Sequence, residues 1–277
     1  MLDKAQTNQI LEFVRQKPRT IQEIAHLLDK NWRTANRYVE QIALEGGQIA
    51  VRTFREGSPG ALKLAYWNAL EVGKGSAYQE ALLRDIQIGK RKENFNPFDI
   101  YQFVPETHRE AYLEINELSK HPSIRYDQLL TKAQHQVLLF SGNLSWMELG
   151  PNMIRTIEHL AQRKVQIKIL TRVDITSLEN TEKALAMNQR VGWDAIHIRH
   201  REQPLRSLIV DDQFATLKEV LNPQYIRELK KKMYIFYKIK DPEWVNWLQK
   251  VFWHLWNQSI DAEKRLEALK TLQKAQA

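Results

Sequence analysis

Between Thr20 and Trp67 the chain carries the signals of two short helices and a hairpin in immediate succession, which leaves little freedom in how its first quarter folds. Thr20 is an N-cap residue, and Glu23 three positions on completes a capping box. Ile21, Ile24, Ala25, Leu27 and Leu28 then give an apolar helical face. Asp29 or Asn31 ends that helix and caps the next. The second helix begins near Trp32, with Ala35, Tyr38, Val39 and Ile42 on a core face and Arg33, Asn36 and Arg37 on the opposite side. Gly46 and Gly47 stop it. Residues 48–54 and 61–67 alternate loosely in polarity around Glu56-Gly57-Ser58-Pro59-Gly60, which predicts a β-hairpin with Arg52, Arg55 and Lys63 on or near its tip. Ahead of these elements, Ile10, Leu11, Phe13 and Val14 place a first helix over 6–16, broken by Lys17-Pro18-Arg19.

Helix, short turn, helix and basic hairpin together resemble the winged helix-turn-helix family of DNA-binding domains. The resemblance implies that the second helix of the pair enters the major groove while the wing touches the backbone. Carried over by position, Asn31, Trp32, Arg33, Asn36 and Arg37 face the groove, and Arg52, Arg55 and Lys63 face phosphates. Arginine and asparagine suit this role because both make bidentate contacts to purine edges. Trp32 either stacks against sugar or seals the turn. A charged helix face is commonly only a solvated one, and some winged helices bind proteins. Here the acidic residues Glu40 and Glu45 lie towards the far end of the helix, away from its basic start, and that asymmetry favours nucleic acid.

A chain of 277 residues with 43% hydrophobic content can bury a sizeable core and has the length for one or two domains, of which two are expected. The net charge of +8 and pI near 9.5 favour an acidic partner. With no cysteine there are no disulfides, thiolate metal sites or cysteine nucleophiles, and an intracellular setting is indicated. No apolar run approaches membrane-spanning length, and MLDKAQTNQI does not read as a signal peptide. The expectation is a soluble cytoplasmic protein.

After the wing, residues 71–76 form a polar, glycine-bearing hinge, 77–89 a helix, and Lys90-Arg91-Lys92 a basic run. The segment Asn94-Phe95-Asn96-Pro97-Phe98-Asp99-Ile100-Tyr101-Gln102-Phe103 reads as a docking segment between domains, with single-strand binding by charge and stacking as its rival. Residues 106–119 and 124–133 read as amphipathic helices. From there strands and helices alternate. Strands are expected at 137–140, 165–170, 195–199, 206–210, 214–218 and 233–239, and helices at 153–163, 176–190 and 243–257. Trp244, Trp247, Leu248, Val251, Phe252 and Leu255 load one face of the last helix, for core or dimer packing. A charged helix over 260–277, with Leu266, Leu269 and Leu272 on its apolar side, offers a surface for a second subunit.

The segments VLLFSGNLSW, VQIKILTRV, IHIRHREQPLRSLIVDDQFATLKE and EWVNWLQKVFWHLWNQS are similar in layout to the phospholipase D-like domains behind winged helices in archaeal TrmB-type transcription regulators. That resemblance implies an α+β / α/β chain. Its parts are a winged helix-turn-helix domain at 1–70, a helical linker or arm at 71–133, a mixed-sheet phospholipase D-like domain at 134–258 and a C-terminal helix at 259–277. Active members of that superfamily carry H-x-K-x(4)-D, whose histidine attacks phosphorus. Placing the aspartate on Asp211 puts Pro204 at the histidine and Arg206 at the lysine, and no second copy occurs, so the domain reads as non-catalytic. His197 and His200 point to opposite faces of one strand. The other histidines are scattered singly, no phosphate-binding glycine loop is present, and neither a metal nor a cofactor is expected. Asp211, Asp212 and Glu219 suggest a magnesium nuclease, although a strand-end turn explains the two aspartates more simply.

The expectation is a homodimeric DNA-binding transcription regulator or chromatin-type protein acting on double-stranded DNA, with a non-catalytic dimerisation or small-molecule sensing domain and no membrane partner. Its rivals are a phosphodiesterase of phospholipase D-like type and a protein-interaction module of a larger assembly.

Overall fold

The first helix, α1 (Lys4–Gln16), starts on a capping box between Asp3 and Gln6. A two-residue strand, β1 (Arg19–Thr20), leads into α2 (Ile21–Leu28), where the box expected at Thr20 is formed: the Glu23 amide donates to the Thr20 hydroxyl at 3.0 Å, and the Thr20 amide donates to the Glu23 carboxylate at 2.7 Å. Asp29 takes the left-handed conformation at φ 51° and closes α2, while Asn31 caps α3 (Trp32–Gly46) by accepting the Thr34 amide at 2.9 Å. Gly47, at φ 64°, ends α3 in the region that glycine enters without strain. The chain then forms β2 (Ile49–Phe54) and β3 (Leu62–Trp67), an antiparallel pair with Val51 opposite Ala65, and β1 joins the free edge of β3. This order of three helices and a small sheet is the winged helix-turn-helix arrangement. Of the predicted helix faces, Ile10, Val14, Ile21, Ile24, Ala25, Ala35, Tyr38, Val39 and Ile42 form the core, closed by Ile49 and Ala65, while Leu11, Phe13, Leu27 and Leu28 are only partly buried.

The computed structural model describes residues 2–54, 62–68, 76–114, 125–148, 151–224 and 229–276, and divides into two units, Met1–Glu71 and Val72–Ala277. Arg55, the expected wing turn at 56–60 and most of the expected hinge lie outside the described residues. Among the described residues no helix is long and apolar enough to cross a membrane.

The second unit opens with α4 (Ala77–Ile88) and the single turn α5 (Phe98–Tyr101). The aromatic segment between 94 and 103, expected to dock between domains, makes its described ring contacts within this unit. Phe103 stacks on Tyr78 at 4.6 Å and on Trp244 at 6.3 Å, and Tyr101 meets Tyr237 at 4.7 Å.

The helix expected over 106–119 is replaced by a 3₁₀ turn at Glu106–His108 and a strand, β4 (Arg109–Glu114). The described residues between 76 and 133 cluster with the second unit. What overrides the helix-forming composition is an edge position: β4 pairs antiparallel with a strand more than a hundred residues later, in register from Arg109–Ile239 to Glu114–Tyr234. Glu110 is the electrostatic centre of that pairing, contacting Lys238 across the ladder at 3.3 Å and accepting hydrogen bonds from Lys240 and the Tyr112 hydroxyl.

Those partners, led by the Lys240 and Tyr112 hydrogen bonds and opposed by partial burial, hold the Glu110 carboxyl down at about 2. A depressed carboxyl gives stability that is complete above its unfolded value near 4.5 and is lost as pH falls towards 2. Glu110→Gln is therefore expected to flatten the acid limb of a plot of urea midpoint against pH over that window. An unchanged limb would remove Glu110 from the account.

The remaining elements are α6 (Tyr126–Leu130), β5 (Gln136–Phe140), α7 (Pro151–Gln162), β6 (Gln166–Thr171), α8 (Leu178–Val191), β7 (Ile196–His200), β8 (Ser207–Val210), β9 (Phe214–Leu221), β10 (Met233–Ile239), α9 (Pro242–Asn257), β11 (Ile260–Asp261) and α10 (Ala262–Gln276). The eight strands lie in the order β11-β7-β6-β5-β8-β9-β10-β4, with β5, β6 and β7 parallel and the other pairs antiparallel. The fold is an α+β winged unit followed along the chain by a unit built on a mixed α/β sheet. Val137, Ile167, Ile169 and Ile198 face a core shared with α6, α7, α8 and α10, while Phe140 faces α9 and meets Phe252 at 5.1 Å. Covering both faces explains why β6 is buried on both sides from Ile167 to Thr171. The apolar side of α10 is used by its own unit: Ala262, Leu266 and Leu269 are core residues, leaving Leu272 at 57% exposure.

Candidate functional site

Two places in the molecule gather charge in a form that a ligand can use. The first is the leading half of α3. Arg33 and Arg37, one helical turn apart, are exposed, and no carboxylate among the described residues holds either of them. Arg37 lies over the Tyr38 ring at 5.4 Å. Asn36, between them on the same side, is half-buried, and its Oδ1, itself closed off from solvent, finds no hydrogen-bond partner among the described residues. Trp32 is 43% exposed at the first turn. Asn31 stands beside it, but its side-chain oxygen is engaged as the helix cap.

The two described wing cations fall on opposite sides of the hairpin. Arg52 lies across from Leu64, whereas Lys63 lies across from Thr53, on the side shared with the buried Ala65. Lys63 pairs with Glu40 of α3 at 2.5 Å. The pairing engages the Lys63 charge predicted to meet phosphate, and it also neutralises the carboxylate nearest the Arg33–Arg37 stripe. Sequence spacing alone could not show this, since a one-residue change in register exchanges the two faces.

The second place is a cavity of about 760 Å³ in the second unit, beyond the carboxyl ends of β5 and β6 and beside β8, where strand direction reverses. Open α/β sheets commonly bind ligands at such a point. Six basic residues line it, Arg91, Lys92, Arg172, Arg206, Lys218 and Lys232, against two acids, Glu93 and Glu114. Arg172 is paired with Asp174 at 2.6 Å and Lys92 with Glu93 at 3.8 Å. Arg206 donates to the backbone carbonyl of Leu205 at 2.7 Å, and no carboxylate among the described residues is within ion-pairing distance of it. Burial, reinforced by the neighbouring Arg172 charge, pulls its guanidinium down to about 10. Burial likewise lowers Lys92, with Glu93 opposing and the Lys232, Arg206 and Lys218 charges adding to the shift.

Sequence reasoning marks the Lys90-Arg91-Lys92 run and Arg206 separately but does not unite them. The six cations come from five stretches of chain and share no spacing that marks them as a set.

The chemistry of phosphodiester cleavage finds little support in these residues. Pro204, at the position where the resemblance puts a histidine, is buried against Gly89: a methyl built on Gly89 would come within 2.8 Å of the proline ring. Asp211 is committed to the fold. Its carboxylate accepts the backbone amides of Gln134 at 2.8 Å, His135 at 3.0 Å and Gln136 at 2.8 Å, and its carbonyl accepts from Gln249 of α9. Asp211–Asp212 is thus the strand-end turn, with Asp211 at φ 46°. His200 uses Nδ1 to accept the Val173 amide at 2.8 Å, and burial lowers its pKa, which suits a neutral structural ring. No group of three or more side chains suited to a metal ion occurs among the described residues.

A winged helix-turn-helix unit joined in one chain to a mixed-sheet unit with a basic cavity is the class of protein these features define. The sequence matches no protein-family model and no curated protein. Among solved structures the chain is similar to Nuc, a phospholipase D family member from Salmonella typhimurium, at 13% identity over 55% of this chain and 97% of that one, with a TM-score of 0.42. It is also similar to TrmBL2, described as an archaeal chromatin protein with a novel mode of DNA binding, at 16% identity over 94% of each chain and a TM-score of 0.40. NucT from Helicobacter pylori aligns at 10% identity over 55% of this chain and 99% of that one, with a TM-score of 0.37.

Proposed function

We propose that this chain is a DNA-binding protein of regulatory or chromatin type, that α3 contacts duplex DNA through Arg33, Asn36 and Arg37, and that the second unit is non-catalytic. The observation that carries the reading is the exposed Arg33–Arg37 stripe, without acidic partners among the described residues and beside a Glu40 neutralised by Lys63. Such a surface matches phosphate oxygens and purine edges together. The start of α3 adds its backbone dipole. Arg52, on the outer side of the hairpin, is placed on backbone phosphate, and Trp32 against sugar. A homodimer would present two such helices about 34 Å apart, one helical turn of duplex.

Fluorescence anisotropy against duplex DNA over a salt series tests this reading. Arg33→Ala combined with Arg37→Ala is expected to weaken binding about 30-fold or more and to lower the log-log salt slope by about 1.8, at about 0.9 for each phosphate no longer neutralised. Unchanged affinity sinks the α3 assignment. Weak binding by the unmodified protein passes the lead to the interaction module, and DNA cleaved in the presence of magnesium passes it to the phosphodiesterase.

A further inference from the structure

We propose that the basic cavity of the second unit is a binding site for a phosphorylated small molecule of nucleotide size, which it holds without cleaving. The site is a different surface from α3 and does not depend on DNA binding. Six cations line the cavity against Glu93 and Glu114, and with Arg172 held by Asp174 the lining still carries a net positive charge, while Arg206 reaches into it with backbone carbonyls as its described partners. Concentrating like charges in a partly buried space is unfavourable until an anion enters, and a phosphate accepts hydrogen bonds from guanidinium and ammonium groups together.

One neutral donor of the lining is unmet: the Trp146 indole N–H is buried and has no hydrogen-bond partner among the described residues. Buried donors are rarely left unpaired without a reason, and a phosphoryl oxygen would satisfy it. Gly142, at the end of β5, is part of the same design. A methyl there would lie 2.6 Å from Arg206 Nη2 and 2.8 Å from Cζ, so glycine is what lets the guanidinium rest flat on the loop backbone.

The ligand is larger than inorganic phosphate. A volume of about 760 Å³ is that of a pocket for a cofactor-sized molecule. Tyr126, Leu139, Trp146, Met153 and Ile157 supply an apolar wall, which calls for a planar or apolar body attached to the phosphate. Cleavage is not expected, because Pro204 offers no nucleophile and Asp211 is saturated by backbone amides.

Isothermal titration calorimetry on the full chain, with ADP, AMP, adenosine and inorganic phosphate as probes, tests the proposal. ADP or AMP is expected to bind at least about tenfold tighter than adenosine and than inorganic phosphate, and to raise the melting temperature. Arg206→Met is expected to weaken nucleotide binding at least about tenfold, with Arg206→Lys recovering part of the loss. Gly142→Ala, which leaves every cation in place but displaces the guanidinium, is expected to weaken it severalfold and serves if Arg206→Met fails to fold. The Arg33→Ala, Arg37→Ala protein is expected to bind nucleotide as the unmodified chain does, which separates this site from the DNA reading. Adenosine binding as tightly as ADP overturns the phosphate assignment, and inorganic phosphate doing so overturns the apolar wall. No binding by any probe, or unchanged binding in both Arg206→Met and Gly142→Ala, overturns the site. Conversion of ADP or AMP followed by phosphorus NMR overturns the claim that the ligand is held intact.

Discussion

Asp211→Ala is expected to destabilise the second unit by about 3–5 kcal/mol, measured by urea unfolding followed through tryptophan fluorescence. Asp211 is 6% exposed, and its carboxylate accepts three backbone amides at 2.8–3.0 Å. A hydrogen bond to a charged group contributes about 1.5–3 kcal/mol, and removing the acceptor takes that partner from all three amides of residues 134–136 at once. Alanine would also have to hold φ 46°, a left-handed conformation that aspartate and asparagine tolerate better. Asp211→Asn keeps one acceptor oxygen and that tolerance, and should fall between the two. A magnesium nuclease would behave differently, losing activity on substitution while keeping its stability. A cost below about 1 kcal/mol would make Asp211 a functional carboxylate again.

The winged unit is readable from sequence because its signals are local. The Thr20–Glu23 box, the left-handed Asp29, the Asn31 cap and the terminating Gly47 each act within four residues, and the structure forms them where the spacing puts them. The inner strands of the second unit are readable for a related reason, since short apolar runs such as VLLF and LIV have few other places to go. The edge strand β4 is not. Its stretch, REAYLE, is composed of good helix formers, and the information that makes it a strand resides in Lys238, Lys240 and the β10 backbone.

The candidate sites divide along the same line. The Arg33–Asn36–Arg37 stripe follows from helical periodicity alone. The Lys63–Glu40 pair and the basic cavity depend on which strand face and which loop come together in three dimensions. The late aromatic helix sits between these cases: its buried face is plain from the sequence, but whether that face meets its own sheet or a partner subunit is not.

Phe252→Ala is expected to cost about 3–5 kcal/mol and decides that last question. Phe252 is fully buried at the centre of α9, edge-on to Phe140 of β5 at 5.1 Å, stacked with Trp256 at 5.5 Å and edge-on to Trp253 at 5.6 Å. Trp244, Trp247, Leu248 and Val251 on the same helix are also buried within the unit. Removing the ring leaves a cavity beneath three aromatic neighbours that are too rigid to collapse into it, and the missing edge-on and stacked ring pairs add to the transfer term. If α9 serves its own core, the loss appears in the urea midpoint and is independent of protein concentration. If the face were instead completed by a second copy, the midpoint of the unmodified protein would rise with concentration, and Phe252→Ala would shift the association equilibrium.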